Sequence, residues 1–516
     1  MAGVDAETQP AVSSGTQSPS YAPAFLCPPE ILGDIFEWSL DRPTHIFIPS
    51  NQKFNFLFVC RLWNQVAVDT AKLWTFLDGN VRSWPTFLVR SKSAPLHIHI
   101  FQLRDVPSPY LVTESTLRQR LETLHIVESP STLSALPKLL FPGDDTSITP
   151  RLISVKLVAV ASPTRSVRVM GWANIPSSFS SQRFPMLREL ELHDCHCDYQ
   201  AGMFHSSTLK RLSITSLGAI TSPSMDDLLS ILDDNRDLEY LRISPRALEE
   251  DLQKRIPPLP FLRALVVEGD AFRIENFLLV FSVPKDLERA TLRFDPLDPA
   301  SLATVEPSLA ILHRGIVARK LRLDSRQASL ALDAYSDLDN KKPYLSLNFQ
   351  QSIYGRPPRI ELHTAGVLVP RDGVTTLEIR GDHHPPDECA ALLSRLSAVN
   401  RLRVFEDCAL SVVRVLRPNE AAAQAMGTLL LPGLTQLWLD DVDFSTVVEN
   451  QSFFEELSGC ISRRRQAGAK LENLTLCGSK VRPEDLAVLR EVVEVDVRDG
   501  DIRIAPEDPI FVISAE

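Results

Sequence analysis

The hydrophobic positions of this chain fall into one short, recurring pattern. An apolar residue is followed by two others, then Leu or a similar residue, then one other position and Leu, Ile or Val. Clear copies are Leu187-x-x-Leu190-x-Leu192, Leu209-x-x-Leu212-x-Ile214, Leu238-x-x-Leu241-x-Ile243, Leu262-x-x-Leu265-x-Val267, Leu434-x-x-Leu437-x-Leu439 and Leu471-x-x-Leu474-x-Leu476. Weaker copies start at Leu121, Leu152, Val374, Val399 and Val492. The first four clear copies are spaced by 22, 29 and 24 residues, close to a leucine-rich repeat period of roughly 20–29. Alternation at period two predicts a strand with one buried face, and the extra leucine turns the chain into the core. One unit cannot bury its apolar face, whereas stacked units bury a continuous ribbon. Helices are predicted between strands, over Met225–Asn235, Glu388–Ala398 and Val447–Arg464, with Pro386 and Asp387 at the start of the second. The pitch stretches to 37 between Leu434 and Leu471 and to 35 between Leu152 and Leu187. Residues 295–373 give only faint matches, Leu321-x-Leu323 and Leu345-x-Leu347.

The first ninety-odd residues follow another period. Ile31 and Ile35 are four apart, as are Leu32 and Phe36, which predicts an apolar stripe on a helix. Pro28 and Pro29 suit its start, and Glu30 favours its positive end. A second helix is predicted with Phe54 and Phe58 on one face, then Val59 and Trp63, followed by Ala67. Lys72-Leu73-Trp74 opens a third element. A bundle this small leaves part of that apolar surface for a partner. The order Pro28-Pro29-Glu30-Ile31-Leu32…Ile35-Phe36, then Val59-Cys60-Arg61-Leu62-Trp63, then Leu73-Trp74 resembles an F-box over about residues 25–75. Two departures stand out: Cys27 occupies the place where the family usually has leucine before Pro-Pro, and Asp41–Lys53 is longer than the usual turn. An F-box followed by leucine-rich repeats is a known architecture, and many fungal F-box proteins look like this chain.

The fold expected is therefore α/β: N-terminal F-box helices followed by an irregular leucine-rich-repeat-like α/β solenoid. The boundaries are a disordered terminus over 1–22, an F-box-like module over 23–95 and a repeat domain over 96–516. The resemblance implies a substrate-recognition adaptor of an SCF-type ubiquitin ligase. Such a protein docks on a Skp-type linker, itself attached to a cullin scaffold, and holds a protein substrate on its C-terminal domain. It is not an enzyme and performs no bond chemistry itself; it raises the local concentration of a substrate lysine. By motif match Pro28, Pro29, Ile31, Leu32, Ile35, Phe36, Val59, Cys60, Trp63 and Trp74 form the F-box core or its docking surface. Side chains flanking the central leucines share the other strand face: Glu189, Glu191 and His193; Arg211, Ser213 and Thr215; Tyr240, Arg242 and Ser244; Arg401, Arg403 and Phe405; Gln436, Trp438 and Asp440. Of these, Glu191, His193, Arg211, Tyr240, Arg242, Arg403, Phe405 and Trp438 are the candidate substrate contacts, with Trp438 the strongest because exposed tryptophans are frequent hot spots. The alternative is a leucine-rich-repeat interaction scaffold with no ubiquitin role.

Composition narrows the classes. The chain has 516 residues, 44% hydrophobic and 23% charged, ordinary for a globular protein. A net charge of −11 argues against nucleic acid or an anionic membrane as the main partner. Met1–Ser20 lacks the basic and apolar regions of a signal peptide, and no run approaches the roughly 18 apolar residues of a membrane span. Eight cysteines thinly spread suit a reducing compartment, cytoplasmic or nuclear. Asn450-Gln451-Ser452 and Asn473-Leu474-Thr475 match the glycosylation triplet without a secretory context. No phosphate-binding glycine loop, zincin helix or nucleophile elbow is present, so no cofactor is called for. His193-Asp194-Cys195-His196-Cys197 is dense in metal-ligating types but has no second cluster to complete four ligands; Cys195 instead occupies a place where repeats bury Asn or Cys. His383-His384 reads as a loop, and Arg463-Arg464-Arg465 as a solvated helix end.

Overall fold

The computed structural model describes residues 27–39, 54–101, 115–140, 151–160, 172–180, 184–216, 222–245, 255–284, 286–294, 309, 312, 318–326, 329–336, 343–350, 373–381, 384–405, 408–418, 429–448, 451–498, 502–504 and 511–513. Segment 1–22, the segment Asp41–Lys53, His383 and Asn450 lie outside the described residues. The chain divides into two compact units, Met1–Thr123 and Leu124–Glu516.

In the first unit, helix α1 spans Pro29–Ser39, α2 spans Arg61–Asp69 and α3 spans Trp84–Arg90. The short strand β1, Phe76–Leu77, pairs parallel with β2, Leu96–Phe101. Pro29 opens α1, where a missing N–H costs nothing. The second helix begins later than periodicity predicted. Asn55–Phe58 forms a separate 3-10 turn, and Cys60 takes an extended backbone and caps α2, its sulfur accepting from the Trp63 N–H at 3.5 Å. Phe54 and Phe58 are therefore not on the helix. Leu32, Phe36, Phe56, Val66, Ala67, Leu73 and Trp74 make the core of this unit, with Phe54, Trp63 and Phe87 packed against it. Phe36 stacks on Phe56 at 4.5 Å, and Trp74 stacks on Phe54 at 5.1 Å while its indole N–H donates to the Ala67 carbonyl at 2.8 Å. Gly33 lets α1 approach closely, since a Cβ there would stand 3.0 Å from the Thr70 hydroxyl.

The second unit is a long, mostly parallel sheet. Its strands in chain order are β3 (Ser154–Ala159), β4 (Glu189–His193), β5 (Arg211–Thr215), β6 (Tyr240–Ile243), β7 (Ala264–Gly269), β8 (Arg289–Phe294), β9 (Lys320–Arg326), β10 (Ser329–Tyr335), β11 (Leu345–Gln350), β12 (Thr376–Gly381), β13 (Arg401–Phe405), β14 (Gln436–Asp440), β15 (Asn473–Cys477) and β16 (Glu494–Arg498). Strands β3 to β8 pair in sequence order, all parallel. Strands β12 to β16 do the same. Every clear copy of the six-residue pattern supplies one of these strands.

The register explains the pattern. Leu190, Leu212, Leu241 and Leu265 lie opposite one another in turn, as do Leu192, Ile214, Ile243 and Val267. Each leucine position therefore stacks on the next and the rows are buried. Helix α4 (Met225–Asp234) starts on a capping box made by Ser224 and Asp227. Helix α5 (Ala271–Val280) packs on β7 and β8. Helix α6 runs over Pro386–Arg395, α7 over Cys408–Leu416 and α8 over Phe453–Gln466. The predicted helix from Val447 starts late because Val447–Val448 and Gln451–Ser452 pair as a small hairpin, and Ser452 caps α8.

Small buried polar side chains tie one repeat to the next. The Cys195 thiol donates to the Leu157 carbonyl, the Cys408 thiol to that of Ile379 and the Ser479 hydroxyl to that of Leu439. The three acceptors occupy the same row of the ladder. The sequence-based placing of Cys195 as a buried repeat residue fits this role.

Simple sequential stacking fails between Arg289 and Gly381. There β8 pairs with β11, β11 runs antiparallel to β10, β10 antiparallel to β9, and β9 parallel to β12. One reversed strand sits inside a parallel sheet, and three strands appear in inverted order. This is the region where the pattern was faint. The leucines still stack, Leu347 on Leu332 and Leu332 on Leu323, but the hairpin reverses the direction in which the motif must be read.

Candidate functional site

Two surfaces carry the candidate residues, one in each unit. On α1 the single apolar stripe predicted from sequence is in fact two. Leu32 and Phe36 turn inward, 2% and 1% exposed, whereas Ile31 and Ile35 face solvent at 48% and 47%. Trp38, seven positions beyond Ile31 and on the same face, is 88% exposed. Phe58 and Val59, in the turn before α2, are also exposed. Trp74 is core, with the Arg90 guanidinium 4.3 Å from its ring centre. Trp63 is half-buried against Phe36, and Cys60 is occupied as a cap. Pro28 and Pro29 are exposed at the helix start, the Pro28 carbonyl accepting from the Leu32 N–H. Thus Leu32, Phe36 and Trp74 hold the module together, and Ile31, Ile35 and Val59 remain available to a partner. Trp38 and Phe58 were missed, although the helical period from Ile31 points to Trp38.

The second surface is the polar face of the ladder, alternating with the buried leucine rows. Glu191, at the β3–β4 end, accepts from Lys156 at 2.9 Å and from His193 at 2.7 Å. Burial pulls its carboxyl up, but bonds to His193 and Lys156 outweigh this and hold it at about 2. The other ring nitrogen of His193 bonds the Thr215 hydroxyl. The Arg211 guanidinium lies 4.8 Å from the ring centre of Tyr240. Glu268 accepts from both Arg242, at 3.0 Å, and Arg293, at 2.8 Å. Glu191, His193, Arg211, Tyr240 and Arg242 thus share this face, each engaged with a neighbour.

At the other end Arg403 is bidentate to Asp440, both bonds 2.7 Å. Hydrogen bonding to Asp440 raises the Arg403 guanidinium further above its usual value, against the effect of burial. Phe405 is not an open contact: it is buried, with the Arg380 guanidinium 3.8 Å and the Arg403 guanidinium 4.8 Å from its ring centre. Trp438 is half-buried, with Arg403 and Arg498 each 5.3 Å from its ring centre. Lys320 and Arg322 share Glu378 and approach the Tyr335 ring at 5.4 and 5.8 Å. Sequence reading missed Tyr335, Arg322 and Arg380 because their strands flank or form the inverted hairpin. Arg498 was findable, being next to the last valine of the weak copy at Val492.

Other candidates take structural roles. Cys195 is buried, which pushes its thiol up to about 12, and no group of three or more His, Cys, Asp or Glu side chains among the described residues can hold a metal. Arg464 is not solvated: it is 1% exposed and donates to the carbonyls of Leu416, Leu430 and Leu431. Among the described residues no helix is long and apolar enough to cross a membrane.

No protein-family model matches the chain, and no curated protein matches it. Several solved structures are similar, two of them leucine-rich-repeat proteins. One is the leucine-rich repeat-containing protein LegL7 from Legionella pneumophila, 14% identical over 72% of this chain and 97% of that one, TM-score 0.28. The other is the leucine-rich-repeat ectodomain of the Arabidopsis receptor kinase HAESA, in complex with an N-terminally extended IDA peptide hormone, 14% identical over 81% and 68%, TM-score 0.22. At these scores the likeness carries no functional argument.

Proposed function

We propose that the chain is a two-part protein-interaction adaptor of leucine-rich-repeat type. Its first unit docks a partner through the outer face of α1, and its second holds another protein on the polar face of the ladder. Taken with the F-box resemblance, this is the substrate-recognition subunit of an SCF-type ubiquitin ligase, with a Skp-type linker on α1 and a cullin behind it. The observation that carries the reading is the exposure of Ile31, Ile35 and Trp38 on one helical face above a core already filled by Leu32 and Phe36. An isolated helix face of this kind suits a groove that accepts aromatic and aliphatic anchors.

The test is titration of the full chain with a purified Skp-type linker. Binding is expected, and Ile35→Glu with Trp38→Ala should weaken it by roughly 2–4 kcal/mol with thermal unfolding unchanged. Leu32→Ala should instead lower the stability of the first unit. If the folded chain does not bind the linker, the ubiquitin role falls and the repeat scaffold without it remains.

A further inference from the structure

The turns that follow β4 and β5 and enter α4 enclose a cavity of about 230 Å³. It is smaller than the roughly 300–1,000 Å³ of a small-molecule site, the size for a single side chain. Asp198 and Asp227 line it, with Cys197, Tyr199 and Ser222. An ionised carboxylate has about four acceptor positions. Asp198 uses one, for the Gln200 N–H, and Asp227 uses three, for the Gln200 amide and the Ser224 N–H and hydroxyl. All these donors are neutral, and among the described residues neither carboxylate pairs with a cation. Ser222 is 5% exposed, and its hydroxyl has no hydrogen-bond partner. That is a costly state for a buried polar atom, and a guest in the cavity would relieve it. The local field is negative: burial, and after it Cys195, Asp198 and Asp227, push the Cys197 thiol up. The start of α4 would favour an anion, but the Ser224–Asp227 capping box already fills it.

We infer that this cavity takes the side-chain ammonium of a lysine from a partner protein. A primary ammonium has three donors and no acceptor. The cavity offers the open positions of Asp198, the last one of Asp227 and the Ser222 hydroxyl, acceptors of the matching kind. A protein guest, rather than a free amine, is favoured by Trp172. It is 44% exposed and sits two residues before Asn174, whose register partner is His196, a residue at the cavity. Exposed tryptophans of this kind are frequent anchors for protein partners. The inference stands apart from the reading of the polar face, since none of these residues belongs to it.

The experiment is fluorescence anisotropy on the full chain with a labelled five-residue peptide, one central lysine among glycines with both ends blocked, and the same peptide with acetyl-lysine. The lysine peptide should bind, and the acetyl-lysine peptide at least tenfold more weakly. Asp198→Asn and Ser222→Ala should each weaken the lysine peptide about tenfold with unfolding curves unchanged. Glu288→Gln, which removes an acid elsewhere on the surface, should leave it within twofold. Butylammonium should compete with the peptide, and Trp172→Ala should weaken the peptide while leaving the butylammonium affinity unchanged. No binding of the lysine peptide, equal affinity for the two peptides, or affinity retained in both Asp198→Asn and Ser222→Ala overturns the inference. An equal loss on Glu288→Gln also overturns it, by identifying bulk charge attraction. Butylammonium that binds more tightly than the peptide, with Trp172→Ala without effect, overturns the assignment to a protein side chain.

Discussion

Adjacent residues on α1 do opposite work. Leu32 and Phe36 close a core, while Ile31 and Ile35 stay outside, a distinction that a four-residue spacing cannot make. Charged residues follow the same lesson, since their meaning depends on what lies opposite. Glu191 has a folded pKa of about 2 against an ordinary 4.5, because His193 and Lys156 favour its charged form. A depressed carboxyl contributes stability that is complete above the unfolded value and lost as pH falls through the folded one. Acid unfolding of the wild type should therefore show an added loss between pH about 4.5 and about 2, and Glu191→Gln should flatten it. Circular dichroism across that range decides the matter. Arg464 offers a second test. Its guanidinium satisfies three backbone carbonyls out of water, and burial lowers its proton affinity. Arg464→Ala should cost on the order of 3–5 kcal/mol in denaturant unfolding, because the carbonyls are left unpaired. A neutral result would mean that water replaces the side chain freely.

At the scale of elements, the strands were the most legible part of the sequence. Leu190, Leu265, Leu437 and Leu474 all fall in the expected buried row, since a two-residue period with a leading leucine has few other uses. Leu190→Ala and Leu265→Ala should each destabilise the ladder by roughly 2–5 kcal/mol, measured by thermal and chemical unfolding. The start of α2 was not legible. Phe54 and Phe58 have helical spacing, but Cys60 takes an extended conformation and caps the helix, and a local cap outranks periodicity. The candidate sites divided in the same way. Face could be assigned from alternation, so Glu191, Arg403 and Trp438 were placed on the polar side. Cover could not, because it depends on neighbours across the sheet: Phe405 lies under Arg380, a residue 25 positions earlier in the chain.

At the scale of the molecule, the inverted strands β9, β10 and β11 remain. Every other junction in the ladder can form by adding the next repeat to the last, a zipper with local closure. The Lys320–Gln350 region cannot. Its outer strand β11 must dock on β8 after the chain has already passed through β9, while β9 waits for β12, still to come. The ladder is in this sense two zippers sharing a buckle. Such a junction closes late and opens early, because its contacts join segments far apart in sequence. Hydrogen exchange should find the amides of β9–β11 opening at lower free energy than those of β4–β7 and β13–β15, with two unfolding units rather than one. Uniform protection along the ladder would refute this. The clasp of this buckle is Glu378 on β12, which holds Lys320 and Arg322 of β9 across the junction.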